Sequence, residues 1–507
     1  VLLSISLQGN TMSQTTIQRQ SILSTLVIFA GFGVGALNLI VLQPKILSTE
    51  QWGLTRVITE AAVLLANVAT LGTTPVIAKF FPFYKRHLRP NEIDLPAITM
   101  GFFAIGMGMV LLLLQILKPQ IVMVFGKNNP LFSPYYFTLS LFILFQGTFL
   151  YMELYAWFAG KTILANTLKE LVFRLLTTAC LLLFGWQMVS FDGFMQLFAC
   201  IYLPATAILI YMIRKHHGLP LHFRISKVTR RLKYKMLSLG SFVFMTTISQ
   251  IAFVVCDTLF LASMYNFSQA GVYAVAQYFG QVVEVPMRSM QTSSVPLISE
   301  YWRAKNMTGL LSVYRKSCIN LLVAGMGLGG LILVNLHNIE RYFPSAYAAM
   351  VMPLAVLIVS RWINLGTGLN SMLIQLSTFW RFDFASTLVY SVIGIPLNYL
   401  LIRNYGMMGA ALANVIAMSI YNGIRFVFLW KKFGLQPFTW RNAAVLLGGS
   451  ALIAAVYFIP AYSNLFIDGI LRSLLFGALF VFMVLRFHLS EELQALWEKW
   501  RTKLWPR

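Results

Sequence analysis

Glu284 and Arg288 stand four residues apart in an apolar stretch, with Pro286 between them. Residues at that spacing share a helix face and can form an ion pair, while the proline removes a backbone donor and kinks the helix. Glu170 with Arg174 repeats the spacing, and Arg56 with Glu60 has it in reverse order. An unpaired charge at the centre of a membrane helix costs roughly 2.5 to 3.5 kcal/mol, so these faces belong in a bundle interior or a wet cavity. Arg361 differs, because no acid lies within four residues of it. The run SRWINLGTGLNSM around it predicts a locally unwound helix beside a cavity. A lone guanidinium there calls for an anion, and its fork matches phosphate in bidentate geometry. The candidate anion-binding residues are therefore Arg361, Arg288, Arg56 and Arg174. Asp257, Glu284, Glu60, Glu170 and Glu153 are carboxylates that could carry a coupling proton or sodium ion, or serve only as pairing partners. Pairing that merely locks helices together competes with substrate binding for every Glu–Arg pair, and both readings stand. Arg425 and Arg472, nearer their helix ends, read as snorkelling toward an interface.

The elements that carry these charges are long and apolar. Hydrophobic residues make up 58% of the 507-residue chain and charged residues 11%, against about 25% charged in a soluble domain. Apolar stretches of membrane-spanning length recur at 21–43, 53–78, 95–117, 131–157, 161–186, 192–213, 236–262, 268–295, 317–337, 346–374, 381–402, 407–430, 440–460 and 464–486. The chain is thus expected to be an all-α polytopic membrane protein with about 14 transmembrane helices. The net charge of +23 is topological. One side of the membrane holds only Lys45, Lys118, Lys127, Arg341 and Arg403, and the basic segments lie on the other, which places both termini in the cytoplasm. Nucleic-acid binding is not needed to explain the basic excess. The cysteines Cys180, Cys200, Cys256 and Cys318 are scattered through helices and suggest neither a disulfide frame nor a metal site, and no cofactor is called for. His216, His217 and His222 sit in a basic loop at spacings that suit no standard zinc site. Trp157, Tyr273, Tyr278 and Trp362 are candidates to stack on sugars.

The chain also repeats. LSTEQWGLTRVI after the first helix aligns with YNFSQAGVYAVA after the seventh, Gly53 on Gly271, at an offset of 218. Pro75 and Pro296 align at 221, and Gly193 with Gly409 and Gly218 with Gly434 at 216. Six helices per repeat give both halves the same orientation. The expected architecture is two parallel six-helix bundles around a central cavity, plus two extra C-terminal helices. The segments are a cytoplasmic N-terminus 1–20 (of which 1–11 reads as mis-started, with Met12 a natural start), an N-lobe 21–213, a basic cytoplasmic loop 214–235, a C-lobe 236–430, the last helices within 440–486, and a basic tail 487–507.

Three segments carry a resemblance: GLTRVITEAAVLLANVATLGTTPVIAKF, DTLFLASMYNFSQAGVYAVAQYFGQVVEVPMRSMQTSSVPLISEYW and PLNYLLIRNYGMMGAALANVIAMSIYNGIRFVFLWKKFG. They resemble bacterial polysaccharide flippases of the multidrug/oligosaccharidyl-lipid/polysaccharide exporter superfamily. The resemblance implies a bacterial inner-membrane protein that moves undecaprenyl-diphosphate-linked oligosaccharide from the cytoplasmic to the periplasmic leaflet by alternating access, for surface polysaccharide biosynthesis. It implies as partners the lipid-linked oligosaccharide, membrane lipids, a coupling H+ or Na+ where an ion gradient drives the cycle, and polysaccharide-assembly enzymes. A multidrug/cation antiporter and a peptidoglycan-precursor flippase of the same superfamily are the alternatives; the near balance of buried arginines and carboxylates favours an anionic or zwitterionic cargo over a cation. An enzyme is not expected, because the loops are short and hold no nucleophile–base pattern or phosphate-cradling glycine loop.

Overall fold

The computed structural model describes residues 27, 30–89, 92–158, 161–217 and 225–504. The segment 1–20, His222 and the side chains of His216 and His217 lie outside that set. Every regular element among the described residues is helical, as expected where backbone polar groups must be satisfied without water. Eight helices are long and apolar enough to cross a membrane, or nine if the bent pair Thr49–Ala69 and Thr73–His87, which meet at 48°, is one span. The chain is a multi-pass helical membrane protein.

Part of the difference from fourteen apolar stretches comes from breaks; the stretch 21–43 begins outside the described residues, and 440–460 forms an unbroken helix, Trp440–Tyr457, that is not among those eight. The stretch 161–186 is interrupted by a π-helical turn at Leu168–Val172, and 268–295 is broken at Glu284. The expected helices 381–402 and 407–430 form one run, Trp380–Phe433, with a non-helical joint at Gly406 (φ 55°, ψ −132°).

The chain divides into two compact units. Unit 1 holds residues 1–48 and 58–248, and unit 2 holds 49–57 and 249–507. The helices, in chain order, are α1 (Ala30–Ile46), α2 (Thr49–Ala69), α3 (Thr73–His87), α4 (Leu95–Ile116), α5 (Lys118–Gly126), α6 (Tyr136–Phe158), α7 (162–185), α8 (Phe191–Ala199), α9 (Tyr202–His217) and α10 (Lys227–Met264). There follow α11 (Phe267–Val283), α12 (Val285–Arg303), α13 (Met307–Val334), α14 (Leu336–Tyr342), α15 (Val351–Gly366), α16 (Asn370–Gln375), α17 (Trp380–Phe433), α18 (Trp440–Tyr457), α19 (Leu465–Arg486) and α20 (Glu491–Leu504).

Within unit 2, small residues let helices approach closely, which is how membrane helices associate when hydrocarbon offers no hydrophobic drive. Gly325 and Gly329 on α13, four apart, face Leu365 and Trp362 of α15, and the Trp362 indole donates to the Gly325 carbonyl at 2.8 Å. On the same helix Gly330 takes the ring of Phe476 from α19. α15 is thereby fixed along α13, and with it the register of Arg361.

Candidate functional site

α15 stops at Gly366, and the chain turns through Thr367, Gly368 and Leu369 before α16 begins at Asn370. Gly368 has φ +62°, and a Cβ there would also press on Ser317 and Cys318 of α13, so only glycine fits. The unwound stretch read from SRWINLGTGLNSM is present. Asparagines hold it: Asn370 donates to Asn422 at 2.8 Å, and Asn422 donates to Asn364 at 3.4 Å.

One turn above this break, Arg361 points at the end of α11. Its Nη1 lies 3.5 Å from Glu284 Oε1, and Asn364 donates to the same oxygen at 2.8 Å. Glu284 can reach both because it sits where α11 ends and α12 begins, next to Pro286. Gly280, one turn earlier on α11, leaves room for the guanidinium; a Cβ there would lie 3.3 Å from Arg361 Nε. The pair is part-exposed, 14% for Arg361 and 23% for Glu284. Arg361 Nε is buried with no hydrogen-bond partner among the described residues. A guanidinium with one long contact to its carboxylate keeps donors for a further anion.

This corrects two expectations. Arg361 is not without an acid, since Glu284 reaches it from 77 residues away in sequence. Glu284 does not turn to Arg288, because the helix breaks between them and the four-residue spacing no longer places them on one face. Arg288 lies exposed on α12.

A second polar centre in unit 2 surrounds Asp257 on α10, which is 3% exposed. Its Oδ2 accepts from Asn414 at 2.7 Å, Tyr273 at 3.2 Å and Gln277 at 3.3 Å, and its Oδ1 accepts from Asn398. Those partners come from α11 and from both sides of the Gly406 joint in α17, so one carboxylate ties three helices. No cation faces it at ion-pair distance among the described residues. A buried carboxylate ringed by neutral donors is held as an acceptor, the arrangement a small cation or a proton could exploit.

A third centre, also in unit 2, overturns the snorkelling reading. Arg425 is 3% exposed and its Nη2 lies 2.5 Å from Asp383 Oδ1. Its guanidinium also stacks 3.7 Å over Tyr421, and Asp383 accepts from Ser371 and Gln375 at 3.1 and 2.9 Å. Arg472, 4% exposed, pairs with Asp468 at 2.6 Å and donates to the carbonyls of Val456, Tyr457 and Ile459 at the end of α18. It closes a helix C-terminus, whose orphan carbonyls favour a cation.

In unit 1, Glu170 and Arg174 form the expected pair, at 3.0 Å and about a quarter exposed. Glu170 lies in the π turn and Arg174 just after it, and the Arg174 guanidinium lies 4.8 Å over the ring of Phe32. Glu153 is buried and receives Lys169 Nζ at 3.0 and 3.1 Å. Glu60 is buried on α2, and Arg56, on the first turns of that helix that belong to unit 2, is half-buried. Of the aromatic candidates, Tyr273 is spent on Asp257 and Trp362 on Gly325, Tyr278 is half-buried, and Trp157 is exposed.

The profile of the family described as "Polysaccharide biosynthesis protein" matches residues 17–302, more than half of the chain. The chain belongs to this family. No curated protein matches it. Among solved structures, this member of the polysaccharide biosynthesis family is similar to the lipid II flippase MurJ in an inward closed conformation, with 16% identity and a TM-score of 0.71 over 93% of this chain and 100% of that one. A multidrug resistance MATE family transporter of the MOP superfamily, in an inward-facing conformation, aligns at 13% identity and TM-score 0.57 over 88% and 96%. A mutant of the Vibrio cholerae MATE transporter VcmN aligns at 15% and 0.52 over 88% and 100%. The fold of this family member is therefore that of MurJ and the MATE transporters.

Within unit 2 the structure brings Arg361 and Glu284 together, and Asp257 has its own ring of neutral donors. Arg288 lies exposed on α12 of the same unit, and Arg174 and Glu153 belong to unit 1. Sequence reasoning missed Asn364, Asn398, Asn414 and Lys169 as partners. The signal was there: asparagine and lysine inside apolar runs need a partner as much as arginine does.

Proposed function

We propose that this chain flips undecaprenyl-diphosphate-linked oligosaccharide from the cytoplasmic to the periplasmic leaflet of a bacterial inner membrane, with both termini cytoplasmic. Fourteen crossings, counted through their breaks, form two parallel six-helix lobes about a central cavity and two further helices. The cycle is alternating access, in which the sugar–diphosphate head crosses in water while the polyprenyl tail stays in lipid.

One observation carries this reading. Arg361 stands at an unwound helix, part-exposed, with a single 3.5 Å contact to Glu284 and a buried Nε without an acceptor among the described residues. A diphosphate supplies a second anion to a guanidinium that Glu284 meets through one long contact, and Glu284 and Asn364 hold the site in place until that anion arrives. Family membership and the likeness to a lipid II flippase support the same cargo class. Arg288, Arg56 and Arg174 are proposed as further contacts to the anionic head, with Glu60 and Glu170 as their counter-charges. Asp257 is proposed as the carboxylate that couples transport to H+ or Na+, and Glu153 as a pairing partner. Polysaccharide-assembly enzymes are proposed partners.

The test is genetic and chemical. Cells lacking the chain should lose periplasmic polymer and accumulate the lipid-linked precursor in the cytoplasmic leaflet. The Arg361→Ala variant should reproduce that phenotype at unchanged protein abundance. Polymer unchanged with raised dye sensitivity would replace this reading with a cation antiporter. Because the TM-score with MurJ is 0.71, a peptidoglycan-precursor flippase is the second reading, and rescue of cells starved of lipid II export would establish it instead.

A further inference from the structure

Unit 1 carries a groove that none of the residues above enter. Its volume is about 640 Å³, and its walls include Val76 of α3, Ile98 and Phe102 of α4, and Met236, Gly240 and Phe244 of α10. The polar groups in the lining are already engaged inside the protein. Thr99 donates to the Leu95 carbonyl at 2.8 Å, Ser241 to the Leu237 carbonyl at 2.8 Å, and Thr229 to Asp94 Oδ2 at 2.7 Å. What remains facing the groove is hydrocarbon. At one end stand Arg230 and Lys233, both exposed, and no acidic residue lines the groove.

That cationic end is built and not incidental. Ser226 caps α10, its Oγ accepting from the Thr229 amide at 3.1 Å while its own amide donates to Asp94 Oδ2 at 2.7 Å. Tyr84 of α3 meets Thr229 Oγ1 at 2.7 Å, so α3, the turn before α4 and the start of α10 are bolted together under the groove. Arg230 and Lys233 are three apart and therefore neighbours on one helix face. They lie in the first turns of α10 with Lys227 and Arg231, at the positive end of the helix dipole. The dipole disfavours cations there, and the one carboxylate at this helix start, Asp94, is buried and engaged by Ser226 and Thr229, so an external anion is left to offset the exposed cations.

We propose that this groove holds an acyl chain of an anionic phospholipid from the cytoplasmic leaflet, with its phosphate seated between Arg230 and Lys233. The side is set by the basic excess of the adjoining segments, Lys85, Arg86 and Arg89 at and after the end of α3 and the run into α10. Apolar walls take the chain, and paired cations at the headgroup level select the charge.

The experiment is native mass spectrometry on the full chain in detergent, titrated with phosphatidylglycerol or phosphatidylcholine. Phosphatidylglycerol should be retained in preference, and the Arg230→Gln/Lys233→Gln variant should weaken its binding roughly 30-fold, at about 1 kcal/mol per cation near the headgroups. The Ser241→Trp variant, which fills the groove without touching either cation, should block it as well. Neutralising Lys431 and Lys432 in unit 2 should leave it unchanged, and thermal unfolding of each variant reports whether the fold is kept. Equal retention of the two lipids, loss of selectivity by the Lys431/Lys432 variant alone, or displacement by inorganic phosphate at millimolar concentration would each overturn the proposal. So would a polyprenyl phosphate that outcompetes phosphatidylglycerol, because the occupant would then be a cargo lipid.

Discussion

Gly53 and Gly271 lie backbone against backbone in unit 2. A methyl group added to Gly271 would sit 2.7 Å from the Thr49 carbonyl oxygen and 2.9 Å from the Gly53 nitrogen, and one added to Gly53 would fall on the Phe267 carbonyl. Thr49 and Phe267 are separated by the same 218 residues as Gly53 and Gly271. The contact is thus reciprocal, as in a two-fold interface where each element presents the same patch to the other. Ser268 adds a 2.7 Å hydrogen bond to Thr49, and Trp52 packs 5.8 Å from Tyr347.

The crowding gives a first prediction. Gly271→Ala should destabilise the protein by about 1–3 kcal/mol, because the obstructing atoms are backbone and cannot swing aside. Gly53→Ala should cost more. Thermal unfolding of the detergent-solubilised protein measures both, and an unchanged midpoint for Gly53→Ala would contradict the close approach.

Arg361 and Glu284 invite a comparison of variants. Glu284→Gln keeps an oxygen for the Asn364 amide and removes only the charge, so abundance should hold. Arg361→Gln removes the guanidinium and should cut polymer export at least about tenfold, on the scale of roughly 1.5–3 kcal/mol for a charged hydrogen bond. If abundance of Arg361→Gln falls in step with export, the pair is structural and carries no cargo.

The charges also show what could be read in advance. The four-residue rule found Glu170–Arg174 although Glu170 lies in a π turn, because the helix continues through that turn and keeps the two side chains in reach. It failed for Glu284 because Pro286 ends one helix and begins the next, so sequence distance ceased to measure spatial distance. Arg425 was legible as a charge but not as a buried one, since Asp383 lies 42 residues away and only tertiary packing joins them. Asp468 and Arg472, by contrast, have the right spacing, and the four-residue rule applies to them as it does to Glu170 and Arg174. The unwound stretch after Arg361 was legible because glycine and asparagine cluster there. The cage around Asp257 was not, because its donors come from two other helices, α11 and both sides of the joint in α17.

Asp383 and Arg425 supply a stability test. Removing one member of a buried pair strands the other, at a cost of about 3–5 kcal/mol. Asp383→Asn and Arg425→Gln should each lower the unfolding midpoint sharply, and the double variant should recover part of the loss. If Arg425 instead reached the membrane surface, Arg425→Gln would be nearly silent and the double variant would match Asp383→Asn.

Asp257 decides whether the buried carboxylate works or only holds helices. In the Asp257→Asn variant one oxygen still accepts, while the new amide nitrogen faces donors that it cannot satisfy. The unfolding midpoint should therefore fall somewhat even without added ions. Were the carboxylate an ion site, raising sodium or lowering pH would stabilise the parent protein by mass action and leave the variant flat. Titrating sodium at fixed pH, then protons at fixed sodium, separates the two ions. A parent whose midpoint follows neither, beside a variant merely less stable, would make Asp257 a helix tie: its charge would then be anchored by Asn398, Asn414, Tyr273 and Gln277 for architecture alone.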